Sequence, residues 1–213
     1  LDLCVSVGGK FIREIITGVY ASDFGLWNTN VGQTVRHKMA IGAKDIKMLY
    51  NIVPEAAKYL ADRSIEDIAR STEFNNRPDA LCVSGLTAGS ETDTQVLSRV
   101  KKSVKHTPIL CNTGCNKDNI VRQLSNSDGA VCATTFKYDG KFENAVDEAR
   151  VKAFMDPVIV GFGQKKFVFL KKSSIYALHY RINYAIVYIK NCNRAVVHKQ
   201  LPCSANDKIG SKG

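Results

Sequence analysis

The stretch ALCVSGLTAGSETDTQVLSRVKKSV, residues 80–104, decides how this chain is to be read. Ala80 to Val83 form a short apolar run with no polar alternation, as expected of a strand covered on both faces. Small and polar residues follow, with Gly85 and Gly89 among them. From Thr92 the period changes to that of a helix, placing Val96, Leu97, Val100 and Val104 on one side. Thr92 and Gln95 have capping-box spacing, which predicts the helix start. The unit is strand, loop, amphipathic helix.

Working outward, the same order recurs. Apolar runs begin at Lys10 (KFIREIITG), Ile46 (IKMLYNIV), Pro108 (PILCNTG) and Ala130 (AVCATTF). Ser64 with Asp67, Asn116 and Asp147 are the expected caps of further helices. Uniformly apolar strands alternating with helices predict a parallel sheet with helices on it. Their spacing is close to the roughly 31 residues per unit of a 250-residue (β/α)8 barrel. The fold expected is therefore α/β, an incomplete (β/α)8 TIM barrel of about five parallel strands. LDLCVSVGGK at the start reads as the end of a helix stopped by Gly8 and Gly9, which implies a strand before it.

The charge divides the chain of 213 residues sharply. Residues 1–156 hold 20 Lys and Arg against 19 Asp and Glu, whereas residues 157–213 hold 10 against 1. The barrel portion is thus expected over 1–156, and 157–213 as a basic, irregular extension. That extension sustains neither an amphipathic stripe nor an aromatic–basic motif, so no nucleic-acid partner is expected. Its most apolar segment, IYALHYRINYAIVYI, includes His179 and Arg181 and is too short for a transmembrane helix. The seven cysteines are odd in number and mostly sit in apolar runs, which suits reduced core residues of an intracellular protein. The expected location is cytoplasmic, or mitochondrial if a targeting segment lies upstream. Five strands alone would also leave both sheet edges open to self-association.

In parallel α/β sheets, ligands collect at the carboxyl ends of the strands. Here those ends read SGLTAGSETD, NTGCNKDN and TTFKYDG. Small residues there let backbone amides approach an anion, while Thr134, Thr135 and Lys137 add hydroxyls and a cation. A helix opening near Asn116 would add its dipole. The other reading is that Gly85, Gly89 and Gly114 only make turns and that Lys137 is a solvated lysine. Arg13 and Glu14 are consecutive in a strand, so only one can face inward; Arg13 shares its face with Ile15 and Thr17, and Asn51 shares one with Lys47 and Leu49. Each inward polar residue is a substrate contact or part of a structural ion pair. Asp23 and Glu55, beyond strand ends, are candidate bases or loop caps. No nucleophile elbow, phosphate-binding P-loop, dinucleotide fingerprint or paired metal-ligand spacing occurs, so neither cofactor nor metal is expected.

The segments GKFIREIITGVYASDFGLWNTNVGQTVRH, NIVPEAAKYLADRSIEDIARSTEFNNRPDALCVSGLTAGSETD and ATTFKYDGKFENAVDEARVKAFM together resemble the BtpA family, in its SgcQ-like branch. The resemblance covers about residues 1–156. It implies a barrel of the ribulose-phosphate-binding kind, of which these would be the fourth to eighth strands. It also implies a phosphorylated small molecule as partner, with sugar-phosphate or nucleoside processing as the activity. Ser84, Gly85, Asn112, Gly114, Thr134 and Thr135 then fall where such barrels bind phosphate, with Lys137 adding its charge, while Arg13, Asp23 and Asn51 surround the pocket. The family name derives from photosystem I biogenesis, so a non-enzymatic assembly role for a membrane complex is the alternative, as is an inactive fragment.

Overall fold

The computed structural model describes residues 1–87, 89–162, 168–170 and 185–187. Five parallel strands form a curled half-barrel: β1 (Phe11–Glu14), β4 (Lys47–Val53), β6 (Ala80–Val83), β7 (Ile109–Cys111) and β8 (Gly129–Cys132), in that spatial order. Helices α3 (Ile65–Asn76), α4 (Thr94–Ser103) and α5 (Ile120–Ser125) connect the last four of them. The helix predicted at the amino terminus is α1 (Asp2–Ser6), after which Gly8 adopts a left-handed φ of 65°.

The two sheet faces differ. Met48, Tyr50, Ile52, Leu81, Val83, Ile109 and Cys111 face the helices and join Ile68, Leu97, Val100 and Leu124 in the main core. Leu97 and Val100 are fully buried and contribute about 1.5–3 kcal/mol each by leaving water. On the concave face a smaller cluster forms from Leu49, Ala80, Cys82 and Leu110, with Phe11 and Val131 against it. Period-two alternation puts Arg13, Asn51, Ser84 and Asn112 next along this same face, toward the carboxyl ends of the strands.

The amino-terminal ends of the strands are fixed by one device used twice. Asp79 donates its backbone N–H to Met48 O (3.0 Å) and accepts Met48 N–H on its carboxylate (2.9 Å). Asp128 treats Ile109 in the same way, at 2.7 and 2.9 Å. Each aspartate thereby sets the register of the strand it precedes. Glu73 closes the α4–β7 turn, accepting the backbone N–H groups of Lys105, His106 and Thr107. Burial acts to raise its pKa, but the three amides outweigh it and hold the carboxyl below the ordinary 4.5. Glu73→Ala should therefore cost about 2 kcal/mol in urea unfolding at neutral pH. Because the folded pKa is depressed, this increment is present above pH 4.5 and disappears as pH falls through the folded value. Wild type and variant should converge there.

Several expectations need correction. The cap of α4 is Asp93, which accepts Gln95 N–H at 2.7 Å, and Thr92 is instead buried. The helix expected near Asn116 starts at Ile120; Asn116 makes a turn, accepting the N–H groups of Asp118 and Asn119. Ser64 and Asp147 do serve as foreseen, the first accepting Asp67 N–H and the second Ala149 N–H. A second sheet, absent from the expected strands, consists of β2 (Val19–Ser22), β3 (Gly25–Asn28) and β5 (Ala57–Tyr59), all antiparallel. Strand β3 leads into α2 (Val31–Ala40), which Asn30 caps, while β5 follows β4.

Helix α6 (Glu148–Phe162) runs through the expected boundary at residue 156 with Pro157 inside it. Beyond it, β9 (Val168–Leu170) pairs antiparallel with β10 (Ala185–Val187), and β10 pairs antiparallel with β8. The β8 edge is thus paired, whereas β1 has β4 as its one partner strand among the described residues. The remainder of the basic extension lies outside the described residues. Among the described residues no helix is long and apolar enough to cross a membrane.

Candidate functional site

Four side chains from four neighbouring strands meet at the carboxyl rim of the concave face. Arg13 Nη1 donates to Asn112 Oδ1 at 2.8 Å. Asn112 Nδ2 donates to Ser84 Oγ at 2.8 Å, and Asn51 Nδ2 donates to the same oxygen at 3.1 Å. The Ser84 hydroxyl returns a longer bond to Asn51 Oδ1 at 3.4 Å. Since a guanidinium can only donate, Asn112 must turn its oxygen toward Arg13 and its amide nitrogen toward Ser84. The orientation of Asn112 is therefore dictated by the arginine.

Asn51, Ser84 and Asn112 are buried, at 6%, 4% and 3% exposure, while Arg13 is exposed. Among the described residues no carboxylate forms an ion pair with Arg13, and a neutral amide accepts its hydrogen bond. Burial pushes the thiol of Cys82, one layer deeper, up to about 12, against the opposing pull of the Arg13 cation. The Glu55 carboxylate acts on the same thiol in the opposite sense to Arg13.

The predicted glycines have a different task. The Ser90–Glu91 backbone passes between Gly85 and Gly114, and a Cβ on either would lie 2.5 or 2.3 Å from Ser90 O. Gly85 N–H is taken by Thr113 Oγ1 at 2.7 Å. The loop is tied down by Thr92 Oγ1, 3.3 Å from both Val83 O and Thr113 O, and by Gln123 Nε2, which reaches Thr92 O at 2.9 Å. Thr92, expected as a helix cap, instead ties this loop; Thr113 and Gln123 carry no expected role, and only the position of Thr113 at a strand end could have signalled one of them.

Thr134 and Thr135 lie just past β8 in a single 3-10 turn (134–136), with Thr134 exposed and Thr135 half-buried. Their strand neighbours β7, which carries Asn112 and Gly114 beyond its end. Lys137 is not a solvated lysine: it is 4% exposed, donates to Phe142 O and lies 4.7 Å from the Phe142 ring centroid. Asp23 occupies the exposed tip of the β2–β3 hairpin, outside the hydrogen-bonded chain. Its backbone N–H bonds Ala56 O, and Ala56 N–H bonds Leu86 O, so three rim loops join at Ala56. Ala56 itself has φ 57°, a left-handed conformation that costs an alanine roughly 1 kcal/mol. Ala56→Gly should raise the unfolding free energy by a large part of that, measured by urea titration.

Comparison with known proteins follows this geometry closely in extent. The chain is 61% identical over 157 residues to the sgc region protein SgcQ of Escherichia coli, covering 74% of this chain and 59% of that protein. It is 28% identical over 166 residues to the photosystem I biogenesis protein BtpA of a Synechocystis species, covering 78% and 58%. An uncharacterized protein of Methanocaldococcus jannaschii shares 28% over 151 residues, covering 70% and 56%. The chain thus spans somewhat more than half the length of these relatives. The BtpA family model matches residues 1–159, all five half-barrel strands and most of α6, and the chain belongs to the BtpA family.

Proposed function

We propose that the concave rim binds the anionic group of a phosphorylated small molecule, and that the full-length family member processes a sugar phosphate or a nucleoside there. The observation that carries this reading is the Arg13 guanidinium, fixed by Asn112 and without a carboxylate partner among the described residues. A cation placed this way keeps its remaining N–H groups for an oxyanion, which it matches bidentately. Ser84 and Asn112 hold the arginine rather than the ligand, and the Thr134 and Thr135 hydroxyls supply neutral donors from the next strand. With its ammonium on Phe142, Lys137 takes no direct part, and the Gly85 amide is already occupied.

Inorganic phosphate should raise the thermal midpoint of this chain above that in chloride at equal ionic strength. A ligand at a hundred times its Kd stabilises by about 2.7 kcal/mol. Arg13→Gln should abolish the shift, whereas Lys117→Gln, which removes an exposed surface cation, should leave it. An equal shift in Arg13→Gln would refute the reading.

One feature favours a second reading, a non-enzymatic assembly role. Phe24 (80% exposed) stacks on Trp27, and Leu26 and Leu86 are also exposed. Such apolar exposure suits a protein partner. Capture of membrane-complex subunits by this chain, undiminished in Thr134→Ala with Thr135→Ala and without any phosphate response, would favour it.

A further inference from the structure

Beyond the anion-binding reading, we propose that Cys111 and Cys115 are a modification site, forming a reversible disulfide that locks the segment carrying Asn112 and Thr113. The two sulfurs are 3.2 Å apart, brought together because Gly114 folds the chain back with φ 69°. A disulfide needs about 2.05 Å, so the sulfurs must approach by roughly 1.2 Å. Cys111 is at 0% exposure and Cys115 at 5%, which makes Cys115 the sulfur that a small oxidant meets first.

With a peroxide as oxidant, the steps balance. The Cys115 sulfur attacks one peroxide oxygen, the O–O bond breaks, and sulfenic acid and water result. The Cys111 sulfur then attacks the sulfenic sulfur, the S–O bond breaks, and the second water leaves with the thiol proton. Two thiols are oxidised and one peroxide is reduced. Both thiols are held well above their ordinary range, Cys111 by its contact with Cys115 and by burial, and Cys115, against the lowering contact with Cys111, by Cys132 and burial. Little thiolate is present at neutral pH, so the site answers sustained oxidant rather than a brief pulse.

The enclosed residues give the bond its consequence. Asn112 holds Arg13, and Thr113 holds the Gly85 amide. Drawing Cys115 onto Cys111 moves both, and the predicted effect on anion binding rests on the function proposed above; the disulfide itself does not.

The test uses the whole chain treated with hydrogen peroxide, then alkylated under denaturing conditions and digested with trypsin. Residues 106–117 form one tryptic peptide that contains Cys111 and Cys115 and no other cysteine. After oxidation it should carry no alkyl group and weigh about 2 Da less than the unalkylated dithiol peptide, whereas untreated chain should yield it doubly alkylated, and dithiothreitol before alkylation should restore the doubly alkylated form. The change should vanish in Cys111→Ser and in Cys115→Ser but persist in Cys132→Ser. A bond from Cys115 to Cys132, or sulfinic acid at Cys115 beside an alkylated Cys111, would overturn the assignment. The phosphate-dependent thermal shift should be lost in the oxidised chain and return on reduction. An unchanged shift in verified disulfide would overturn the coupling, and no shift in the reduced chain would overturn the anion site while leaving the disulfide standing.

Discussion

Gly114→Ala is expected to destabilise the half-barrel by about 3–4 kcal/mol, enough to unfold a large share of a marginally stable chain. Two costs combine. Gly114 has φ 69°, where an L side chain pays roughly 1–2 kcal/mol. In addition, the new Cβ would stand 2.3 Å from Ser90 O and 2.4 Å from Glu91 Cα, both backbone atoms that cannot swing aside. The loop they belong to is held by Thr92 and Gln123, so relief would require breaking those bonds. Gly42→Ala separates the two costs, because Gly42 has nearly the same φ, 70°, and nothing within 4 Å of its added Cβ. Urea unfolding of both variants should give a difference of about 2 kcal/mol beyond the shared backbone strain. Equal losses would mean that the Ser90–Glu91 loop moves freely and does not depend on the glycine.

The same comparison shows what a sequence can and cannot disclose about such a site. Arg13 and Asn51 are readable because strand faces follow a period of two and a parallel sheet brings all carboxyl ends to one rim, whereas Ser84 and Asn112 come from the family resemblance. Inward polar residues on neighbouring strands have no other place to go, and the structure joins these four in one chain. The contributions of Gly85 and Gly114 were harder to read. Small residues at a strand end accommodate either an anion or another segment of backbone, and composition is identical in the two cases. Here the backbone of Ser90 and Glu91 lies against both glycines. Lys137 escaped for a related reason: its burial depends on the turn that lays Phe142 against it. The β2–β3 hairpin alternates weakly and is short, so beside a strongly apolar β1 it passed for a loop.

Phe136→Ala should cost about 3–5 kcal/mol, the usual loss for deleting a fully buried aromatic ring. The ring meets Phe154 edge to face, with centroids 4.9 Å apart at 85°, and so ties the end of β8 to α6. It also anchors the turn that presents Thr134 and Thr135: Phe136 O accepts Asp147 N–H at 2.7 Å, and Arg150 Nε reaches Thr135 O at 2.9 Å. Losing the ring leaves those polar bonds to hold the turn unaided over a cavity. Phe136→Leu refills part of the space without the edge-to-face contact and should recover about half of the stability. If the hydroxyls assist Arg13, phosphate-induced stabilisation measured below the lowered midpoint should weaken in Phe136→Ala and return in Phe136→Leu. Phosphate stabilisation of equal size in all three chains would show that Arg13 binds the anion without help from the β8 turn.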